Sequence, residues 1–223
     1  MGFEVKIIAD SVNEFGNRLT TLEATYPRII LAEVNTHRDR TRSAASSRAI
    51  PWAKMSERVA NDPFVPIKWG MEQGGMQEGQ EIPERMRKLA EDLWHEGLQR
   101  VLECAEAIAK IGQVYVDCYP EEAQDGDELV RIHKSIPNRL IEPWMWTTQV
   151  MTATEWNNFF RLRCHPDAEV HFQKIAGMMR DARNASTPRQ LKTGEWHLPY
   201  VLAMNYMKTS SFSRKCRLRA VHG

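Results

Sequence analysis

Val5-Lys6-Ile7-Ile8-Ala9 alternates loosely between apolar and polar positions and is rich in β-branched residues, which predicts a first strand. A second apolar run spans residues 26–34 (YPRIILAEV), and periodicity leaves it open between strand and buried helix. Residues 35–51 (NTHRDRTRSAASSRAIP) then contain almost no large apolar group. Residues 63–77 are rich in Pro, Gly and Met and read as an irregular segment. From Pro83 a long helix is expected. Met86, Leu89, Leu93, Val101, Ala105 and Ile108 fall at helical steps, with Pro83 at its start and Gly112 as its stop. Residues 119–127 are acidic and turn-like. A second helix is expected from Ser135, with Pro137 near its start. Thr152 to Glu155 has the form of a capping box for a third helix, which places Trp156, Phe159, Phe160 and Arg163 on one face. Pro166 restarts the chain into a fourth, with Ala168, Phe172, Ile175 and Met179 inward. The tail after Thr209 is basic and weakly patterned.

At 223 residues and 42% hydrophobic, the chain is long and apolar enough to fold around a real core. Its 30 basic and 29 acidic residues leave a formal charge of +1, which argues against a protein that coats DNA. Cys104, Cys118, Cys164 and Cys216 form no CxxC pair, so neither a zinc site nor a secreted disulfide framework is expected. Scattered cysteines fit a reducing cytoplasm. Glu4, Lys6 and Asp10 interrupt the apolar start, so no secretory leader is expected, and no apolar run is long enough to span a membrane.

The candidate chemistry begins in the polar stretch. His37, Arg38, Ser46 and Arg48 bring two guanidinium forks, an imidazole and hydroxyls to a segment with little to bury. That composition suits either an anion-binding loop, for which a nucleotide phosphate is the natural ligand, or a solvated basic surface. Arg163 shares a helical face with three aromatics, so it either snorkels outward or meets an anion. Arg139 is open to the same two readings. No HExxH, Gly-rich phosphate loop or recognisable nucleophilic-cysteine motif is present, and the spacing of His165 and His171 is poor for a metal, so no metal site is expected.

These residues carry a resemblance. His37-Arg38, seven residues, then Ser46 and Arg48 resembles the RHR(x7)S signature of flavin-dependent thymidylate synthases. The longer string around it is similar to that of bacteriophage members. Residues 138–143 (NRLIEP) are similar to the family's arginine-containing helix. Residues 152–168 (TATEWNNFFRLRCHPDA) are similar to its NFxxLR segment. The sequence departs from the family in carrying Thr36 at the first arginine, Ala44 where many members have glutamate, and no recognisable HxSPFEH-like segment. Residues 113–132 look like an insertion.

The resemblance implies one α/β (α+β) domain over 1–223, a central mixed sheet packed with long helices, and a homotetramer with active sites shared between subunits. It implies reductive methylation of dUMP to dTMP, with FAD as hydride carrier and methylenetetrahydrofolate and NADPH as co-substrates. Carried over by position, Ser46, Ser47, Arg48, Arg139 and Arg163 would bind dUMP. His37, Arg38 and Asn158 would lie at the flavin. Arg163 and Arg139 would be the catalytic groups, stabilising charge on the uracil carbonyls. Two alternatives are a uridine-nucleotide hydroxymethylase and a non-catalytic nucleotide-binding homologue. No membrane or nucleic-acid partner is expected, and the cytoplasm (a host's, for a phage protein) is the expected compartment.

Overall fold

The structure, a computed structural model, describes residues 2–75 and 77–201, so the basic tail expected after Thr209 lies outside the described residues. The first strand is present and longer than its apolar core: β1 (Glu4–Val12) leads through a tight turn into β2 (Arg18–Pro27). Asn13 Oδ1 accepts from the backbone N–H groups of Phe15 and Asn17 at 3.0 and 2.9 Å, and Gly16 supplies the positive φ of 81° that the turn needs. β2 pairs antiparallel with β1 on one side and with β4 (Trp146–Ala153) on the other. Leu22 thus lies between Ile7 and Met151. β3 (Thr41–Ala44) joins the outer side of β4, and the two-residue β5 (Arg189–Gln190) runs parallel to β1. The sheet order is β3-β4-β2-β1-β5, a mixed sheet as expected.

Leu22, Ala24 and Tyr26 face one way along β2. With Met151, Trp156, Phe159, Phe172 and Ile175 they form the larger core, between the sheet and helices α6 (Asn157–Arg163) and α7 (Val170–Ala185). On the other face the strands are joined through hydroxyls, Thr21 to Thr152 at 2.7 Å and Thr25 to Thr148 at 2.8 Å. A second core lies off the sheet among α2 (Trp52–Asn61), α3 (Glu84–Ala109) and α5 (Ser135–Leu140). It is built from Met55, Val59, Leu98, Ala105, Ile141 and Trp144.

Several expectations are corrected. Residues 26–34 are neither one strand nor one helix. Pro27 ends β2, a 3-10 turn follows at Arg28–Ile30, and α1 (Leu31–Val34) closes the run. The polar stretch contains β3, and α2 begins directly after Pro51. The supposed capping box is not one. Thr152 belongs to β4, and α6 starts at Asn157, where the N-cap is Trp156 and its side chain makes no capping hydrogen bond. The fourth helix starts at Val170, where the Glu169 carboxylate accepts from Phe172 N–H at 2.7 Å, so Ala168 precedes it.

The long helix is present, but Met86, Leu89 and Leu93 on its apolar stripe are 47, 59 and 57% exposed in the single chain. It ends at Ala109, and Gly112 lies within the next helix, α4 (Ile111–Cys118). Gly112 is held there by packing. Its N–H donates to Val130 O at 3.2 Å, and a Cβ would overlap Asp127 O and lie 2.9 Å from Val130 N. Gly112→Ala is therefore expected to lower stability by about 1–3 kcal/mol, read as a drop in the urea midpoint without loss of secondary structure. A midpoint equal to wild type would show that the 127–130 turn yields freely.

Candidate active site

His37 follows α1 and turns its ring edge-on to Phe159 and Phe172, with centroids 5.1 and 6.0 Å away. Arg163, 126 residues later at the end of α6, donates from Nε to His37 Nε2 at 2.6 Å. Its guanidinium carbon lies 4.7 Å from the Phe172 ring centroid. The guanidinium has only donors, so His37 Nε2 must accept and the imidazole is neutral, with its proton on Nδ1. Burial, then the charges of Arg163 and Arg40, pull the His37 pKa below its ordinary value, and Asp39 opposes them.

Arg40 is a pillar that sequence reasoning did not place at the site. Its side chain is 1% exposed and stacks 3.8 Å from the Phe159 centroid and 5.1 Å from that of Trp156. It donates twice to Asp39 Oδ1, at 3.1 and 3.0 Å, while its Nη1 is buried without a partner among the described residues. Arg42 Nη1 donates to His37 O at 2.6 Å. Arginines at 38, 40 and 42 share a two-residue spacing, but Arg40 is buried and the other two are exposed, so the spacing carried no signal for it. Arg38 is exposed, and its side chain has no partner among the described residues.

The 45–50 turn is fixed from α5. Asn138 is 0% exposed and donates from Nδ2 to Ser47 O at 2.6 Å and Ile50 O at 2.9 Å. Ser46 Oγ accepts from Arg48 N–H at 3.3 Å, and the Arg48 side chain is exposed. Ser46 and Ser47 line a cavity of about 200 Å³ with Arg28, Arg58 and Thr148. Arg139 lines a second, of about 610 Å³, with Arg28, Asn35 and Glu142. Arg28, paired with Glu142 at 3.0 Å, stands in the wall of both. Arg163 lines a third, of about 380 Å³, with Arg161 and His165.

The fold thus brings His37 to Arg163 directly and sets Ser46, Ser47 and Arg139 on either side of Arg28. Among the described residues Arg139 and Arg163 line different cavities, and Arg48 is in the wall of neither. Asn158 is exposed, and its Oδ1 accepts from Arg161 at 2.9 Å. Arg28, Asn35 and Asn138 were not singled out in the sequence, although Asn35 and Asn138 open two of the segments quoted above, because their partners lie about a hundred residues away. Among the described residues no group of three His, Cys, Asp or Glu could hold a metal ion. No helix there is long and apolar enough to cross a membrane.

No protein-family profile and no curated protein sequence matches the chain. Its structure is similar to that of the UMP/dUMP methylase PolB from Streptomyces cacaoi bound with 5-Br UMP. The TM-score is 0.53 at 13% identity, over 81% of this chain and 87% of that one. The same methylase bound with 5-Br dUMP gives 0.52 at 13% identity, over 81% and 89%. Thymidylate Synthase X from Helicobacter pylori with FAD and dUMP gives 0.44 at 14% identity, over 74% and 67%. The chain has the α/β fold of the methylase.

Proposed function

We propose that this chain is a flavin-dependent thymidylate synthase that methylates C5 of the uracil of dUMP, taking the carbon from methylenetetrahydrofolate and reducing equivalents from NADPH. The observation that carries this reading is the His37–Arg163 contact. Two segments that resemble the family's signature and its NFxxLR helix, read separately in the sequence, meet in space on a fold like that of a UMP/dUMP methylase.

In this reading Ser46, Ser47 and Arg48 receive the phosphate, the serines through hydroxyls and the turn's N–H groups, Arg48 through its guanidinium. Arg139 holds the nucleotide in its cavity, and Arg163 stabilises charge that develops on a uracil carbonyl. Arg38 and Asn158 fit an oxygen-rich, anionic cofactor. The first has an unpaired guanidinium, and the second has an amide NH₂ with no partner among the described residues. With His37 they are the residues that would hold FAD, which supplies hydride when bound. No cysteine attack is needed. Burial pushes the Cys164 thiol pKa up, the opposite of nucleophile activation.

Arg139 and Arg163 line separate cavities, so a homotetramer is what unites them on one ligand. The exposed stripe of Met86, Leu89 and Leu93 on α3 is the apolar surface for that assembly. The test is the visible spectrum of the purified protein, followed by incubation with dUMP, methylenetetrahydrofolate and NADPH and product analysis by mass. A flavin spectrum that responds to dUMP and a product heavier by CH₂ are expected. A product carrying one further oxygen would make it a hydroxymethylase, and a flavin-free protein that binds dUMP without turnover a non-catalytic homologue. The methylase likeness also favours trying UMP beside dUMP.

A further inference from the structure

Behind the Arg139 cavity lies a buried polar relay that the apolar core does not require. Gln149, on β4, is 2% exposed. Its Oε1 accepts from the Tyr26 hydroxyl at 2.7 Å, and its Nε2 donates to Asn35 Oδ1 at 3.0 Å. Two amides in series have two self-consistent orientations, and the end of the relay decides between them. Tyr26 is 0% exposed, and burial raises its phenol pKa far above the ordinary value, so it keeps its proton. Gln149 is its hydrogen-bond partner, and no other is present among the described residues, so the proton goes to Gln149 Oε1. Gln149 must then turn Nε2 towards Asn35, and Asn35 must answer with Oδ1.

What remains is Asn35 Nδ2, which has no partner among the described residues. Asn35 is half-buried in the wall of the 610 Å³ cavity, and its backbone N–H is tied to Leu31 O at 3.0 Å. Arg139, in the same wall, is exposed and also unpaired among the described residues. A cavity of this size suits a small molecule, for which roughly 300–1,000 Å³ is usual. It offers a cation for an anionic group and, beside it, a donor of fixed polarity for an acceptor.

We propose that Asn35 reads the base of the nucleotide, its fixed N–H donor facing the C4 position of a uracil held by Arg139, with Gln149 and Tyr26 as positioning residues behind it. The proposal rests on the nucleotide reading above. C2 carries an oxygen in both uracil and cytosine, and N3 accepts only in cytosine, so a locked donor favours uracil only at C4. There uracil presents an oxygen, and cytosine an amino group that leaves both donors unpaired.

Isothermal titration of the full chain with dUMP and with dCMP tests this. Wild type is expected to bind dUMP roughly 10- to 100-fold more tightly than dCMP. Asn35→Asp, which presents an acceptor, reverses the preference. Tyr26→Phe keeps the ring but removes the proton that sets the relay, so both orientations become available. Its dUMP affinity falls about twofold while its preference shrinks to a few-fold. A purely structural role would weaken both ligands together and leave their ratio alone, so the ratio decides even if one variant is less stable. Wild type that binds dUMP without a preference, or variants that keep the preference intact, overturn the role of Asn35 and leave the nucleotide reading standing. Wild type that binds neither ligand overturns both.

Discussion

Arg163→Ala is expected to cut kcat/KM for dUMP by roughly 100- to 1,000-fold, the usual cost of removing a donor aimed at developing charge. The melting temperature should stay within a few degrees of wild type. The guanidinium lies over Phe172 and against His37 at the end of α6, half-buried, so its loss leaves no closed cavity. A second readout is independent of activity. Burial lowers the His37 pKa first and Arg163 second, so removing Arg163 raises it, which a histidine NMR titration would detect. The sign for stability follows. In wild type the folded imidazole resists protonation, so below its ordinary value of 6.5 the unfolded chain takes up the proton first and stability falls with pH. That acid-side fall should be shallower in Arg163→Ala. Unchanged dUMP affinity and turnover would remove Arg163 from the site, and an unmoved His37 titration would deny the contact itself.

Asn138→Ala is the change expected to cost most in stability. Its Nδ2 holds Ser47 O and Ile50 O from a position with no solvent access, so truncation strands buried carbonyls as well as breaking two bonds. At about 1–3 kcal/mol for each stranded group, a loss of about 2–4 kcal/mol is expected, or roughly 5–15 °C in melting temperature for a chain of this size. Nucleotide affinity should fall with it, because Ser46 and Arg48 belong to the turn that Asn138 fixes. Asn138→Asp fares no better, since a carboxylate cannot donate to either carbonyl. Thermal melts with hydrogen exchange of residues 45–50 measure both effects. A shift under about 2 °C with unaltered exchange would mean that the turn holds itself.

The legible parts of the sequence were those where hydropathy and geometry share a period. β1 and α3 announce themselves in this way. β4 does not, although its burial alternates at every residue, because the buried positions are Thr147, Gln149, Met151 and Ala153, half of them polar. The false capping box arose in the same strand, where Thr152 and Glu155 have the right spacing for a helix start while Thr152 is pairing with Thr21. β2 went unread before Tyr26 because both of its faces are covered, one by apolar side chains and the other by threonines, which erases the alternation a half-exposed strand shows. The apolar stripe of α3 was legible but its exposure was not, since periodicity reveals that a face is apolar and not what covers it.

At the site, His37 and Arg163 were legible one at a time from their chemistry, and their contact was not, because it spans half the chain. Asn35 and Arg28 have meaning only through cavities, which are made by distant segments and leave no local trace.

The central pairing of the sheet also bears on how the chain is made. Tyr26 and Gln149, in adjacent strands, are 123 residues apart. At about 5–20 residues per second, the ribosome has β2 complete several seconds, and up to roughly half a minute, before β4 emerges to cover its edge. During that interval the hairpin of β1 and β2 presents a row of unpaired amides and carbonyls to its surroundings, the kind of edge to which other nascent strands attach. Slow translation or crowded polysomes should therefore lower the yield of this protein by aggregation more than they would for a helical chain of equal length.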